Sequence, residues 1–192
     1  MQIAYWRDSA RHFRLDRQMG QPAALYIWCE AAGMAPQLEA ATEAYDVEVI
    51  SGGGFDSTTA KHDLAEEFMG LKRVTVLHIG DHDPSGTHMF SSLAEDIGAF
   101  MNGGRAELEF VRLAVTPEQV VEYGLPTVPP KATDNRRFEG ETTQAEALPP
   151  DVLAQIVLEA VEARVDHTMR AALIEQEKAD RAELVAKLAG FL

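Results

Sequence analysis

The sequence predicts an α/β fold: a mostly parallel four-stranded sheet flanked by helices, with a helical extension at the C-terminus. Three observations predict it. Short continuous apolar runs, AALYIWC at 23–29 and VTVLHI at 74–79, have the length and composition of strands buried on both faces. Segments with helical spacing separate them, and the resulting order β-α-β-α-β-α-β is what helical crossovers between parallel strands produce. Glycine-rich or proline-containing turns at 20–22, 51–54 and 102–104 fall between the elements.

In chain order, residues 4–19 read as a helix carrying four arginines, with Trp6, Phe13 and Leu15 available for packing. Residues 23–29 are the first strand, ending directly on Glu30. A second helix spans 35–45, and VEVI at 47–50 is a second strand. Asp56 or Ser57 caps a third helix running to about residue 69. The third strand, 73–79, is followed by Gly80, Asp81 and Asp83 and then by a helix over 87–101. Residues 106–113 alternate as a fourth strand would, and Thr116, Pro117 and Gln119 open a short helix. From 125 to 150 proline, threonine and charge replace periodicity, so a long loop is expected, of a length usually tied to function. The last stretch, 151 to about 188, is a long helical pattern with a break near His167. The organisation is thus a basic helix at 1–21, an α/β domain at 22–124, a Pro-rich basic loop at 125–150 and a helical extension at 151–192.

Composition narrows the function classes. The 192 residues are 46% hydrophobic and 25% charged, ordinary for a globular domain. No apolar run approaches the roughly 18 residues of a membrane span, and the charged N-terminus lacks the apolar core of a secretory signal. Cys29 has no partner for an internal disulfide, which fits the cytoplasm. A net charge of −14 argues against a generally basic nucleic-acid-binding surface. Any such contact has to use local patches: Arg7, Arg11, Arg14 and Arg17 at the spacing of one helix face, or Lys131, Arg136 and Arg137 in the loop.

The chemistry concentrates at strand ends. Glu30 follows the first strand, and Asp81 and Asp83 follow the third. In a parallel sheet these ends share one edge, where ligand crevices lie, so the three carboxylates converge. Acidic oxygens held that close repel one another unless a hard cation is shared between them, which suggests Mg²⁺ or Mn²⁺. Glu30 is either a third ligand or a general acid/base beside the aspartates. Lys131 and Arg136 supply positive charge if their loop folds over the crevice.

A glutamate at the end of the first strand, joined to Asp81-His82-Asp83-Pro84-Ser85-Gly86 at the end of the third, resembles the Toprim domain of topoisomerases, primases and some nucleases. The D-x-D-P-x-G form is similar to the A subunit of topoisomerase VI. The set SGGGFDSTT at 51–59, GDHDPSG at 80–86 and PTVPPKATDNR at 126–136 resembles a group of prokaryotic, often phage-associated proteins, and the likeness covers residues 22–165. It implies Mg²⁺-dependent phosphodiester chemistry on nucleic acid, in particular DNA cleavage, with Asp81 and Asp83 on the metal and Glu30 in the acid/base role. Only 29 residues precede Glu30, too few for the tyrosine-bearing domain of the topoisomerases. The expectation is therefore a fragment of a longer protein, a tyrosine-independent nuclease, or a subunit that works as a homodimer or with a partner protein.

Alternatives remain open. SGGGFDST nearly reproduces the pyrophosphate loop of ATP pyrophosphatases, which would make the chain an ATP-binding enzyme; a glycine turn with an Asp or Ser cap is the simpler reading. A non-catalytic, partner-dependent subunit of a DNA-processing complex is another. His78 and His88 suit packing or surface roles, His82 should point away from the flanking aspartates, and Cys29 is a small apolar residue at a strand end. Beyond Met169 the helix grows charged, as a coiled-coil or partner-binding extension would.

Overall fold

The computed structural model describes residues 2–52, 57–101, 104, 106–131, 134, 136 and 138–189. The chain divides into two compact units: Ala23–Arg164, and Met1–Pro22 together with Val165–Leu192.

The larger unit holds the sheet. Strands β1 (Ala24–Cys29), β2 (Glu48–Ser51), β3 (Arg73–Ile79) and β4 (Glu107–Ala114) are all parallel, in the order β2-β1-β3-β4. The two strands with continuous apolar sequences, β1 and β3, occupy the centre, where both faces and both edges are covered. Strand alternation sends Tyr26, Trp28, Val74 and Val76 to one face. There they meet Leu64, Ala65 and Phe68 of a helix at Thr58–Met69 and Leu93 and Ile97 of one at Pro84–Phe100. Phe68 is fully buried, and such a side chain contributes about 1.5–3 kcal/mol through burial. Ile27, Leu77 and Ile79 alternate to the opposite face, the side of the helices Ala35–Thr42 and Pro150–Glu162, which pack on each other through buried Leu38, Leu153, Val157 and Val161. Numbering from the N-terminal helix at Gln2–Arg11 (α1), these are α2 (Ala35–Thr42), α3 (Thr58–Met69), α4 (Pro84–Phe100) and α6 (Pro150–Glu162); the short α5 is Pro117–Glu122, and α7 is His167–Ala189.

Caps set the element boundaries. Ser57 accepts from Ala60 N and starts α3. Thr116 and Gln119 form a reciprocal capping box on α5. Helix α4 begins three residues before the expected Thr87, because Asp83 Oδ1 accepts from Gly86 N at 2.6 Å and Pro84 takes the first helical position. The described residues of the 125–150 loop are mostly irregular but tied down: Val128 and Thr142 exchange two main-chain hydrogen bonds (3.0 and 2.7 Å), and His82 and Thr143 exchange two more (2.8 and 3.0 Å).

The smaller unit corrects two expectations. The N-terminal helix stops at Arg11 instead of continuing to residue 19. Leu15 N donates to Glu177 Oε2 (2.9 Å), and Phe13 O accepts from Arg181 (2.8 Å), so contacts with α7 replace the next helical turn. The arginine stripe is therefore not one solvated helix face, and the partly buried Arg17 pairs with buried Glu177 at 2.6 Å. Arg7's side chain lies outside the described part of the chain. The break expected near His167 falls at Asp166, whose Oδ1 accepts from Thr168 N and Met169 N, both at 2.9 Å. Residues 151–162 belong to the sheet unit and only α7 lies outside it, so the segment 151–192 is shared between the two units. No helix among the described residues is long and apolar enough to cross a membrane.

Candidate metal centre

Parallel pairing of β1 with β3 puts Cys29 opposite Ile79, and Glu30 N donates to Ile79 O at 3.0 Å. Glu30 therefore lies beside Gly80, on the face that Trp28 and His78 share by alternation. A Cβ at residue 80 would lie 2.3 Å from Glu30 Cδ and 2.4 and 2.6 Å from its two oxygens, so the carboxylate occupies the space a side chain would fill. Gly86 is the second wall: a Cβ there would sit 2.4 Å from Asp81 O and 3.2 Å from Glu30 Oε2. Oε2 accepts from Asp81 N at 3.3 Å, and Oε1 lies 3.0 Å from His78 Nε2. Gly80 is thus explained by the carboxylate beside it, and Gly86 chiefly by the Asp81 carbonyl, with the same carboxylate next to it.

Asp81 Oδ1 accepts from Ala145 N at 2.8 Å, which ties it to the far end of the long loop. Burial raises its pKa, and repulsion from Asp83, Glu146 and Glu30 adds to the rise. Asp83 divides its carboxylate between the α4 cap and the crevice. Beneath them lies Arg112 of β4, level with His78 in the strand register. Its guanidinium donates to four main-chain carbonyls: Val115 O (3.4 Å), Gly86 O (3.3 Å), Gly80 O (3.2 Å) and, closest, Asp81 O. A planar fork with five donors suits that task, and burial lowers its pKa against the pull of Glu30, Asp81 and Asp83.

The loop reaches the crevice. Asp81, Asp83, Ser85, Lys131 and Asp134 line a cavity of about 420 Å³ whose other wall is Pro126, Val128 and Pro129. Arg136 Nη1 donates to Ser85 Oγ at 2.7 Å and pairs with Asp134 at 3.0 Å. Lys131 and Arg136 are thus placed beside the helix start that carries Asp83. Glu30 lines a different, smaller cavity of about 210 Å³ with Trp28, Lys61 and His88.

The three acidic residues share one sheet edge, but their ligand oxygens do not gather into one cluster. Among the described residues, the only three His, Cys, Asp or Glu side chains with ligand atoms all within 4.8 Å of one another are His62, Asp63 and Glu66, which are exposed on α3. His82 turns its ring onto Phe138, centroids 5.0 Å apart. Cys29 is buried, which pushes its thiol up to about 11. Gly53, Gly54, Phe55 and Asp56 of the glycine-rich turn, and Arg137, lie outside the described residues.

Sequence reasoning missed Arg112, the pairing of His78 with Glu30, and Glu146 as a charge acting on Asp81. Arg112 sits in an alternating strand, where a single arginine looks like an outward-facing residue. The signal available was its place level with a buried strand histidine, which requires the register.

The donor set fits a hard divalent cation. Asp81 Oδ2 and Asp83 Oδ2 receive no hydrogen bond from a described residue, and both side chains line the larger cavity. Repulsion among four carboxylates, with Arg112 engaged on main-chain oxygens, leaves net negative charge that a cation would balance. Glu30, held inward by its own donors, is the less available ligand. Comparison with protein-family models, with curated proteins and with solved structures gave no match.

Proposed function

We propose that the chain carries out Mg²⁺- or Mn²⁺-dependent phosphodiester chemistry on nucleic acid, with DNA cleavage as the reaction, at a Toprim-like site related to that of the topoisomerase VI A subunit. The observation that carries this reading is the pair Asp81 and Asp83 opening into a cavity with Lys131, beside a glutamate enclosed by Gly80 and Gly86. Asp81 and Asp83 would hold the cation. When bound, it supplies charge neutralisation for a phosphoryl group and a more acidic water. Glu30 handles the proton, its position fixed by the Asp81 N–H. Lys131 and Arg136 bind the phosphate backbone, which an acidic protein requires of its few local cations. A cytoplasmic location accords with these substrates.

The test is nicking of plasmid DNA and cleavage of labelled single strands in Mg²⁺ or Mn²⁺. Wild-type protein should cut, and Asp81→Ala and Glu30→Gln proteins should not. Cleavage that survives Asp81→Ala would overturn the reading. The second reading is a partner-dependent, non-catalytic subunit of a DNA-processing complex. It is favoured by the failure of the three acidic side chains to bring their ligand atoms within 4.8 Å of one another. A wild-type protein that binds the cation yet cuts neither DNA nor RNA would support it.

A further inference from the structure

His78 stands out as a buried polar residue that folding alone does not explain. It occupies the second-last position of β3, in a run whose other buried residues are apolar apart from Thr75, and is 1% exposed. Its ring packs on Phe90 of α4, centroids 4.8 Å apart. Nδ1 is buried without a hydrogen-bond partner among the described residues, and so is Glu30 Oε1, although His78 Nε2 lies 3.0 Å from that oxygen. The distance is that of a polar pair, yet the N–H does not line up on the oxygen as an ideal bond would. Leaving Nδ1 buried and unsatisfied costs stability that a leucine or phenylalanine at 78 would not, while either of these would take from Glu30 Oε1 its nearest polar neighbour. Contacts of this kind, close but poorly aligned in the free protein, are typical of acid/base groups that tighten around a substrate.

We propose that His78 is the positioning residue of Glu30: from its Nε2–H tautomer it holds Oε1 while the Asp81 N–H holds Oε2, aiming the carboxylate at the strand-end crevice. This rests on the reading of Glu30 as the proton-handling group. The surroundings leave His78 few alternatives. Burial lowers the pKa of the imidazole, against the pull of Glu30 and with the help of Arg112 on the neighbouring strand. A neutral ring has one N–H, and among the described residues the only acceptor near either nitrogen is Glu30. Phe90 and the flanking strands fix the ring plane, and Gly80 fixes how far the carboxylate can retreat.

The experiment compares His78→Leu and His78→Gln with wild type in cleavage at saturating substrate, substrate affinity and thermal melting, and adds a long-range ¹H–¹⁵N spectrum of the wild-type imidazole. His78→Leu should slow turnover by about 10- to 100-fold, as loss of an orienting partner does, with KM little changed and a cooperative melt retained. The glutamine amide can place an N–H near the position of Nε2, so His78→Gln should recover most of that loss. The spectrum should show the proton on Nε2. Wild-type turnover in His78→Leu, or a loss in His78→Gln equal to that in His78→Leu, would overturn the proposal. If wild-type protein cuts no nucleic acid, the proposed function fails, and the proposal, which rests on it, falls with it. A proton on Nδ1 would overturn the positioning role independently, even in an active enzyme.

Discussion

Replacing Gly80 with alanine separates the site from the fold. The new Cβ would lie 2.3 Å from Glu30 Cδ, whereas carbon atoms in contact keep about 3.5 Å, so the carboxyl must retreat by about 1.2 Å. The obstructed atoms are the end of a flexible side chain and not backbone, so the strand can stay in place while Glu30 turns away. The movement gives up the 3.3 Å contact with Asp81 N and the 3.0 Å approach of His78, which together are worth about 1–3 kcal/mol after Glu30 regains solvent. For a chain of this size that corresponds to a fall in Tm of about 3–10 °C. Activity should fall much further, to the level of Glu30→Gln, because a displaced general acid/base forfeits about 10²–10⁴ in rate. Thermal melting and metal-dependent cleavage of labelled DNA on the same preparations decide the matter. A Gly80→Ala protein with wild-type turnover, alongside an inactive Glu30→Gln protein, would refute the placement of the carboxylate against residue 80.

Further outcomes follow from neighbouring contacts. Asp83→Ala should lose both the α4 cap, about 1 kcal/mol, and metal-dependent cleavage, whereas Asp83→Ser should keep the cap and lose only cleavage; urea melts and cleavage assays separate the two. Arg112→Lys gives up most of the guanidinium's hydrogen bonds to the four carbonyls and should destabilise the sheet unit by about 1–3 kcal/mol, read from the urea midpoint. In the smaller unit, the Arg17 guanidinium beside Glu177 holds its carboxyl at about 2, against an ordinary 4.5. Because the folded pKa is the lower one, this stabilisation is present above about pH 4.5 and lost as pH falls toward 2. A Glu177→Gln protein should therefore show a flatter acid limb in its melting profile, and an unchanged limb would contradict the pairing.

Much of the sheet was legible because its central strands are continuous apolar runs and its turns carry glycine or proline. The span 73–79 matches β3 residue for residue, since Gly80 and Asp81 stop the apolar run where the strand stops. The start of α4 was misplaced because Pro84 reads as a turn residue until Asp83 is seen to cap the helix it begins. Residues 12–19 keep a helical pattern in sequence, yet Glu177 and Arg181, more than 160 positions away, take over their backbone groups. The shared edge of Glu30, Asp81 and Asp83 followed from parallel topology alone. The roles of Gly80, Arg112 and His78 did not, because each depends on the register of β1, β3 and β4, which places residues from separate segments side by side.

Whether Asp81 and Asp83 hold a divalent cation is read by Mn²⁺ titration followed by electron paramagnetic resonance on wild-type and Asp81→Asn proteins. Wild type should show a bound-Mn²⁺ fraction that Mg²⁺ displaces and that Asp81→Asn abolishes. Retention of that fraction in Asp81→Asn, with its loss on changing His62, Asp63 or Glu66 instead, would contradict that placement of the cation.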